Sequence, residues 1–184
     1  TQKLAEQCRE IDRKSIEQFL DVIMDSNRIF IQGAGRSGLV AKAFAMRLMH
    51  LGFTVYVIGE TITPAVAAGD LLISVSGSGK TSALVTIVKT AKEKGVKIAS
   101  ITSHPDSPIG ILSDVVVKIK GRVLDDMKRD YSARQLVGDH EPLTPLGTLF
   151  ELSTMVFLDS MVEEIMRRQN KSEEQLRALH TNLE

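Results

Sequence analysis

The chain has 184 residues, of which 43% are hydrophobic and 25% are charged, and its 23 basic and 23 acidic side chains give a formal net charge of zero. This length fits one domain around a single core and leaves little room for a second domain. Zero net charge excludes recruitment of nucleic acid or an anionic membrane through bulk charge, although a local cluster of basic residues can still bind a small anion.

Cysteine use and hydropathy predict a cytoplasmic protein. Cys8 is the only cysteine, so the chain can form neither an internal disulfide nor a multi-cysteine metal site. The first residues are charged and lack the apolar stretch of a signal peptide. The most apolar segment, 155–166, is interrupted by Asp159, Glu163 and Glu164, so we expect no membrane span.

Short β-branched runs alternate with helical segments along the chain. An amphipathic N-terminal helix is predicted over residues 1–25, before the first strand. Strands are predicted at 28–32, 54–59, 71–76, 97–102 and 114–120. The segments between and after them predict helices at 39–51, 82–94, 145–169 and 172–180, and a turn or short helix at 105–112.

The polar segment 121–144 is predicted to be a long surface loop, and the C-terminal helices at 145–184 follow it. Thr144 fits the N-cap of the long helix with Pro145 at its first position, and Ser172 fits the cap of the last helix. Residues 1–184 are therefore expected to form one domain, with its sheet core at 28–120.

This order predicts the α/β class, with a three-layer α/β/α architecture and a five-stranded parallel sheet. The strand runs are almost continuously apolar, as expected for strands covered on both faces. We expect the flavodoxin-like strand order 2-1-3-4-5, which places the carboxyl ends of the first and third strands at the ligand-binding switch point.

Two loops rich in glycine and hydroxyl groups follow those two strands, GAGRSG at 33–38 and SGSGKT at 76–81. Each loop precedes a helix, whose unpaired N–H groups and positive dipole end favour a phosphate. The glycines let the backbone approach a ligand, the hydroxyls can donate to it, and the cations add charge. The residues in question are Gly35, Gly77, Gly79, Ser37, Ser76, Ser78, Thr81, Arg36 and Lys80. Ordinary tight turns are the alternative interpretation of these loops.

Two known phosphate motifs compete with this interpretation. A Walker A loop requires glycine at the position of Ser74, so that motif is excluded. The dinucleotide fingerprint G-x-G-x-x-G is matched by Gly33, Gly35 and Gly38, with Glu60 at the expected distance. However, a nicotinamide enzyme of this length would lack its usual substrate domain, and the second loop would be unexplained.

The combined motifs resemble the sugar isomerase (SIS) domain family over nearly the whole chain. They are GAGRSG, AMRLMHLG, GE, SGSGKT, PLGTLFE and the closing HTNLE. The resemblance is greatest to members that interconvert 3-hexulose 6-phosphate and fructose 6-phosphate in formaldehyde fixation through ribulose monophosphate. It implies a five-stranded domain, usually in a homotetramer, that needs no cofactor and no metal. It also implies that Ser37, Ser76, Ser78 and Thr81 hold the phosphate.

The chain departs from the family pattern at two places. Lys80 stands where many relatives carry glutamate, which changes the local charge but leaves the hydroxyls in place. The segment 125–144 is longer than the resemblance leads us to expect, so the family pattern does not define any lid formed there.

Isomerisation requires a base and a group that stabilises the enediolate. Glu151 is the predicted base, because it lies in an apolar segment and the family has an equivalent glutamate; a solvated glutamate near a helix start is the alternative. The resemblance predicts that His180 is the second catalytic residue, in its own or a neighbouring subunit's site, and a mobile tail histidine is the alternative. Arg47 and Glu60 are predicted to contact substrate, or else to be an ordinary surface cation and a turn cap.

The other histidines, His50, His104 and His140, have no metal-ligand spacing and are interpreted as structural. Two further functions stay open from the sequence, a non-catalytic phosphosugar regulator and another aldose–ketose phosphate isomerase. Regulators usually attach such a domain to a helix-turn-helix module, and we expect none here because one helix precedes the first strand.

Overall fold

Five parallel strands form a single sheet in the order β2-β1-β3-β4-β5. The strands are β1 (Ile29–Gly33), β2 (Val55–Val57), β3 (Leu71–Val75), β4 (Lys97–Thr102) and β5 (Val115–Lys118). The computed structural model describes residues 2–121 and 148–180. The predicted three-layer α/β/α class with a five-stranded parallel sheet is confirmed, as is the strand order.

Helices cover both faces of this sheet. They are α1 (Gln2–Glu10), α2 (Arg13–Met24), α3 (Gly35–His50), α4 (Ser82–Glu93), α5 (Pro108–Leu112), α6 (Thr148–Gln169) and α7 (Glu173–Ala178). Side chains from α2, α3 and α6 form the larger core on one face, whereas α4 and α5 pack on the other. The alternation of side chains along each strand explains this division, since Ile29 and Ile31 join the first core and Phe30 joins the second.

The N-terminal segment contains two helices where the sequence predicted one. Asp12 separates them, because its backbone is extended and its carboxylate accepts a hydrogen bond from the Ser15 amide at 2.8 Å. An aspartate in this role begins a new helix. The apolar periodicity continues across the break, so it could not reveal the break by itself.

A second correction concerns the loop predicted at 33–38. Helix α3 begins at Gly35, so the residues Arg36, Ser37 and Gly38 form its first turn instead of a loop. Gly33 and Gly38 make this tight junction possible: a Cβ on Gly33 would lie 2.8 Å from the Ser37 carbonyl oxygen, and one on Gly38 would lie 2.7 Å from the Gly33 oxygen.

At the opposite end of the sheet, a partly buried ion pair connects two strands. Arg28 donates two hydrogen bonds to Asp70, at 3.0 and 2.6 Å, just before β1 and β3. Burial acts to raise the pKa of Asp70, but the Arg28 hydrogen bond, the Ala67 N–H and the Arg28 charge together lower it. The pair therefore links β1 to β3 at the end away from their carboxyl ends.

Some predicted features lie outside the described residues. They are most of the loop at 121–144 with His140, the Thr144–Pro145 start of the long helix, and the last residues of the HTNLE motif. The predicted cap of the last helix is present, because Ser172 and Gln175 form a reciprocal capping box at the start of α7.

Candidate active site

A cavity of about 240 Å³ opens at the carboxyl ends of β1, β3 and β4. Its described lining contains hydroxyl groups, backbone of the two predicted loops, one histidine and one carboxylate. The lining residues are Ala34, Ser37, Val75, Ser76, Gly77, Ser78, Thr81, Leu84, Ser103, His104, Gly121, Phe150 and Glu151. The structure thus brings both predicted loops to one place, as the parallel strand order requires.

The loop at 76–81, hereafter the serine loop, follows β3 without a break. Its turn depends on Gly79, whose φ of +61° lies in the left-handed region that favours glycine. A side chain there would also collide with Ser107, since an added Cβ would lie 1.9 Å from the Ser107 hydroxyl oxygen. The Gly79 amide donates to the Ser76 hydroxyl and to the Ser76 carbonyl, both at 3.1 Å.

The two helices that start at the cavity lack the usual side-chain cap. Ala34 and Thr81 occupy the N-cap positions of α3 and α4, and neither side chain accepts an amide hydrogen bond from its helix. In contrast, α2, α5 and α7 are capped by the side chains of Asp12, Ser107 and Ser172. The uncapped amide groups of α3 and α4 are therefore left for a ligand, and an anion suits them best.

The hydroxyl groups of the cavity also have O–H protons available for a ligand. Ser76 and Ser78 accept hydrogen bonds from Gly79 and Lys80, so each retains its own O–H proton for a ligand. Within residues 2–121 and 148–180, the hydroxyls of Ser37 and Thr81 make no hydrogen bond. Four O–H donors and two helix N-termini thus surround one small cavity.

Glu151 is the acidic side chain of the described cavity lining. It lies in the first described turn of α6 with 9% of its surface exposed, and its carboxylate accepts a hydrogen bond from Arg36 Nε. The sequence predicted an apolar setting for this side chain. The structure adds the Arg36 guanidinium as its ionic partner.

Arg36 was predicted to add charge to the phosphate site, and the structure places it differently. Its guanidinium pairs with Glu151 and is 62% exposed, and Arg36 is absent from the cavity lining. Lys80 is also exposed and lies outside the lining, so the serine loop contributes hydroxyl and amide groups without a lysine.

Arg47 and Glu60, the two predicted substrate contacts, lie away from the described cavity. Arg47 is about 18 Å along α3 from Gly35, and its guanidinium is 3.8 Å from the carboxylate of Asp159. Glu60 follows β2 and pairs with Lys42 at 2.6 Å, with both side chains about half exposed. The structure gives each residue a local ionic partner instead of a place in the cavity.

His180 lies at the far end of α3. Its ring stacks on His50, the last residue of that helix, with 5.0 Å between ring centroids. Because α3 has 16 residues, this end lies about 22 Å from the Gly35 end. Burial lowers the pKa of His50, and the charges of His180 and Arg47 lower it further. Within one subunit, the structure does not bring His180 to Glu151.

Sequence reasoning missed several side chains of the cavity, among them Ser103, His104 and Phe150. Ser103 and His104 follow β4, the next strand after β3, so the rule that ligands bind at strand carboxyl ends could have identified them. His104 was instead interpreted as structural. Phe150 packs against Gly77, where an added Cβ would lie 3.2 Å from its ring, and no sequence signal predicts this contact.

Neither a metal-binding cluster nor a membrane-spanning helix is present among the described residues. Among residues 2–121 and 148–180, no group of three or more histidine, cysteine, aspartate or glutamate residues could hold a metal ion. None of the described helices combines the length and the apolar character needed to cross a bilayer.

Comparison with known proteins places these features in a family. The SIS domain profile matches residues 22–123. The 3-hexulose-6-phosphate isomerase of Methylomonas aminofaciens is 40% identical over 168 residues, which cover 91% of this chain and 87% of the relative. The enzyme of the same name from Bacillus subtilis is 38% identical over 174 residues, covering 95% of this chain and 89% of the relative.

A solved structure agrees with these sequence matches. A Methanococcus jannaschii protein, for which a function of 3-hexulose-6-phosphate isomerase has been inferred, superposes with a TM-score of 0.77 at 35% identity. The match covers 94% of this chain and 87% of that chain. The matched residues 22–123 include the serine loop and the first turn of α3, which meet at the cavity. On this agreement of profile, sequence and structure, the protein belongs to the SIS domain family.

Proposed function

We propose that this protein is a sugar-phosphate isomerase that interconverts D-arabino-hex-3-ulose 6-phosphate and D-fructose 6-phosphate. The reaction is the second step of formaldehyde fixation through ribulose monophosphate, and we place it in the cytoplasm. The proposal rests mainly on one observation. Four free O–H donors and two uncapped helix N-termini converge on a cavity that also contains a buried carboxylate. Two relatives named for this activity, 40% and 38% identical, support the choice of substrate.

The phosphoryl group is bound by the serine loop and the first turn of α3. The hydroxyls of Ser37, Ser76, Ser78 and Thr81 donate to its oxygens, and the amides at the start of α3 and α4 add further donors. Each of these groups is in place before the ligand arrives. Little ordering is therefore needed at the moment of binding.

Glu151 moves the proton. The substrate reacts as an open chain, because its esterified 6-oxygen cannot close the usual five-membered ring from C3. The carboxylate removes the C2 proton, and the electron pair moves through a cis-enediolate to the C3 oxygen. The C2 hydroxyl then gives its proton to the C3 oxygen, and the carboxyl group returns the carbon-bound proton to C3 while the carbonyl forms at C2. The sugar neither gains nor loses electrons, so the step balances without an oxidant or reductant.

The direct test is formation of fructose 6-phosphate from 3-hexulose 6-phosphate in the presence of a chelator. We expect turnover that chelation leaves unchanged, and none with the unphosphorylated hexulose. Binding of the hexulose phosphate without turnover would favour a phosphosugar regulator. Turnover only of aldose phosphates would identify another aldose–ketose isomerase.

We further propose that the assembly is a homotetramer whose sites lie near subunit interfaces. Helices α3 and α6 pack together and share an exposed apolar face of Leu39, Met46, Met49, Leu152 and Val156, each at least 43% exposed. A two-fold axis through this face would place the far end of one α3, with its His180, beside the partner's cavity. His180 would then donate a proton to the enediolate of the neighbouring site.

Mixing two inactive variants tests this arrangement. Each site would use Glu151 of one subunit and His180 of the other, so a mixed dimer of Glu151→Gln and His180→Ala subunits contains one intact site. We expect activity to return after subunit exchange, to about one quarter of the wild-type rate for random pairing in equal amounts. If His180 served its own subunit, both sites of the mixed dimer would be defective and activity would stay absent.

A further inference from the structure

His104 is a basic group in the cavity that the reaction described above does not use. It is the one basic side chain among the described residues of the lining, and it is half-buried. Its side chain makes no hydrogen bond or ion pair within residues 2–121 and 148–180. The family interpretation places the phosphate on hydroxyl and amide groups and gives this position no role.

The backbone holds His104 beside the serine loop. The Ser103 amide donates to the Gly77 carbonyl at 3.0 Å, and the Ile109 amide donates to the Gly79 carbonyl at 3.1 Å. The Thr102 hydroxyl connects the two segments, because it donates to Gly77 O at 3.3 Å and accepts from the His104 amide at 3.2 Å. His104 therefore lies between two bonds that join the β4–α5 turn to the loop that would hold the phosphate.

The charge of a bound sugar phosphate favours a cation on this side, because it brings close to two negative charges. Arg36 is paired with Glu151, and Lys120 is paired with Glu10 at 2.6 Å. Lys80 is exposed and lies outside the cavity lining. The neighbouring Ser103 adds no free O–H donor at this place, because its hydroxyl already donates to the Ile119 carbonyl at 2.9 Å.

We propose that the His104 imidazolium binds the phosphoryl group at the serine loop and makes affinity for the sugar phosphate depend on pH. The inference rests on the proposed function. Other charged groups around His104 are Asp106 in the same turn, Lys80 on the serine loop, Glu151 on α6 and Arg36 on α3. Asp106 and Lys80 are exposed, so water screens them more than it screens a group inside the cavity.

The first measurement uses inorganic phosphate as the probe and needs no catalysis. Side-chain ¹H–¹⁵N spectra of the wild-type protein are recorded between about pH 5.5 and 8.5, with and without phosphate. We expect the titration midpoint of His104 to rise by about one pH unit when phosphate is present, equivalent to about tenfold tighter binding by the charged form. The internal control is His50, at the far end of α3, whose titration should not respond.

The second measurement compares His104→Gln with the wild type. We expect phosphate and 3-hexulose 6-phosphate to bind the variant about tenfold more weakly at pH 6, and less than about twofold more weakly at pH 8.5, where imidazole is neutral. The ligand also titrates in this pH range, but equally in both measurements. Dividing the dissociation constant of the variant by that of the wild type at each pH therefore cancels the contribution of the ligand. An equal loss at both pH values would show a merely structural role and overturn the inference.

The outcomes separate this inference from the proposed function. If phosphate shifts the amide signals of residues 76–81 but leaves the His104 titration unchanged, the inference is overturned and the phosphate site stands. If phosphate changes neither signal, both proposals are overturned together.

Discussion

Replacing Glu151 with glutamine is expected to lower kcat by about a thousandfold while the protein still binds the phosphorylated sugar. Glutamine keeps the size of the side chain but cannot accept the C2 proton. The hydroxyl and amide donors of the cavity stay in place, so KM should change little. The measurement is kcat together with exchange of the C2 proton for solvent deuterium, both of which should fall in parallel.

The matched control for this change is Glu163→Gln. Glu163 is exposed on the same helix, so the substitution makes the same chemical change far from the cavity. We expect wild-type turnover and exchange in the control. Full deuterium exchange at C2 in the Glu151 variant would exclude Glu151 as the base.

Removal of the serine-loop hydroxyls should affect binding far more than turnover. We expect Ser76→Ala with Ser78→Ala to raise KM for 3-hexulose 6-phosphate by at least about a hundredfold, because hydrogen bonds to a charged group contribute about 1.5–3 kcal/mol each. The Gly79 amide would still donate to the Ser76 carbonyl, so the loop should keep its shape.

Two comparisons make this result specific. Ser82→Ala alters an exposed serine that immediately follows the loop and does not line the cavity, and we expect it to leave KM unchanged. The melting temperature of the double variant should match that of the wild type. Unchanged affinity for phosphorylated sugars in the double variant would refute the role of the two hydroxyls.

The two segments of the proposed phosphate site were the most predictable part of the cavity. Glycine and serine after β1 and β3 have local signatures, and the strand order follows from the alternation of strands and helices. The sequence also predicted buried surroundings for Glu151, because its neighbours in the helix are apolar. None of these predictions required knowing which distant residues come into contact.

Distant contacts decided the rest of the site. The Arg36–Glu151 pair joins residues 115 positions apart, and no periodicity in either segment predicts it. His104 reaches the cavity because β4 lies beside β3 and three hydrogen bonds hold the following turn against the serine loop. His180 stacks on His50 because α6 packs along α3 and carries the chain to its far end, where Lys171 donates to the Leu51 carbonyl.

The sequence by itself determined the fold class, the order of the strands and the two glycine- and serine-rich segments that supply hydroxyl groups, because periodicity, glycine and helix-start signals act over a few residues. Only the tertiary structure decided which charges lie next to one another, where the N-terminal segment divides and which histidine lies at the cavity. These features depend on packing between segments far apart in the chain, where a carboxylate or an imidazole takes its role from its neighbours in space.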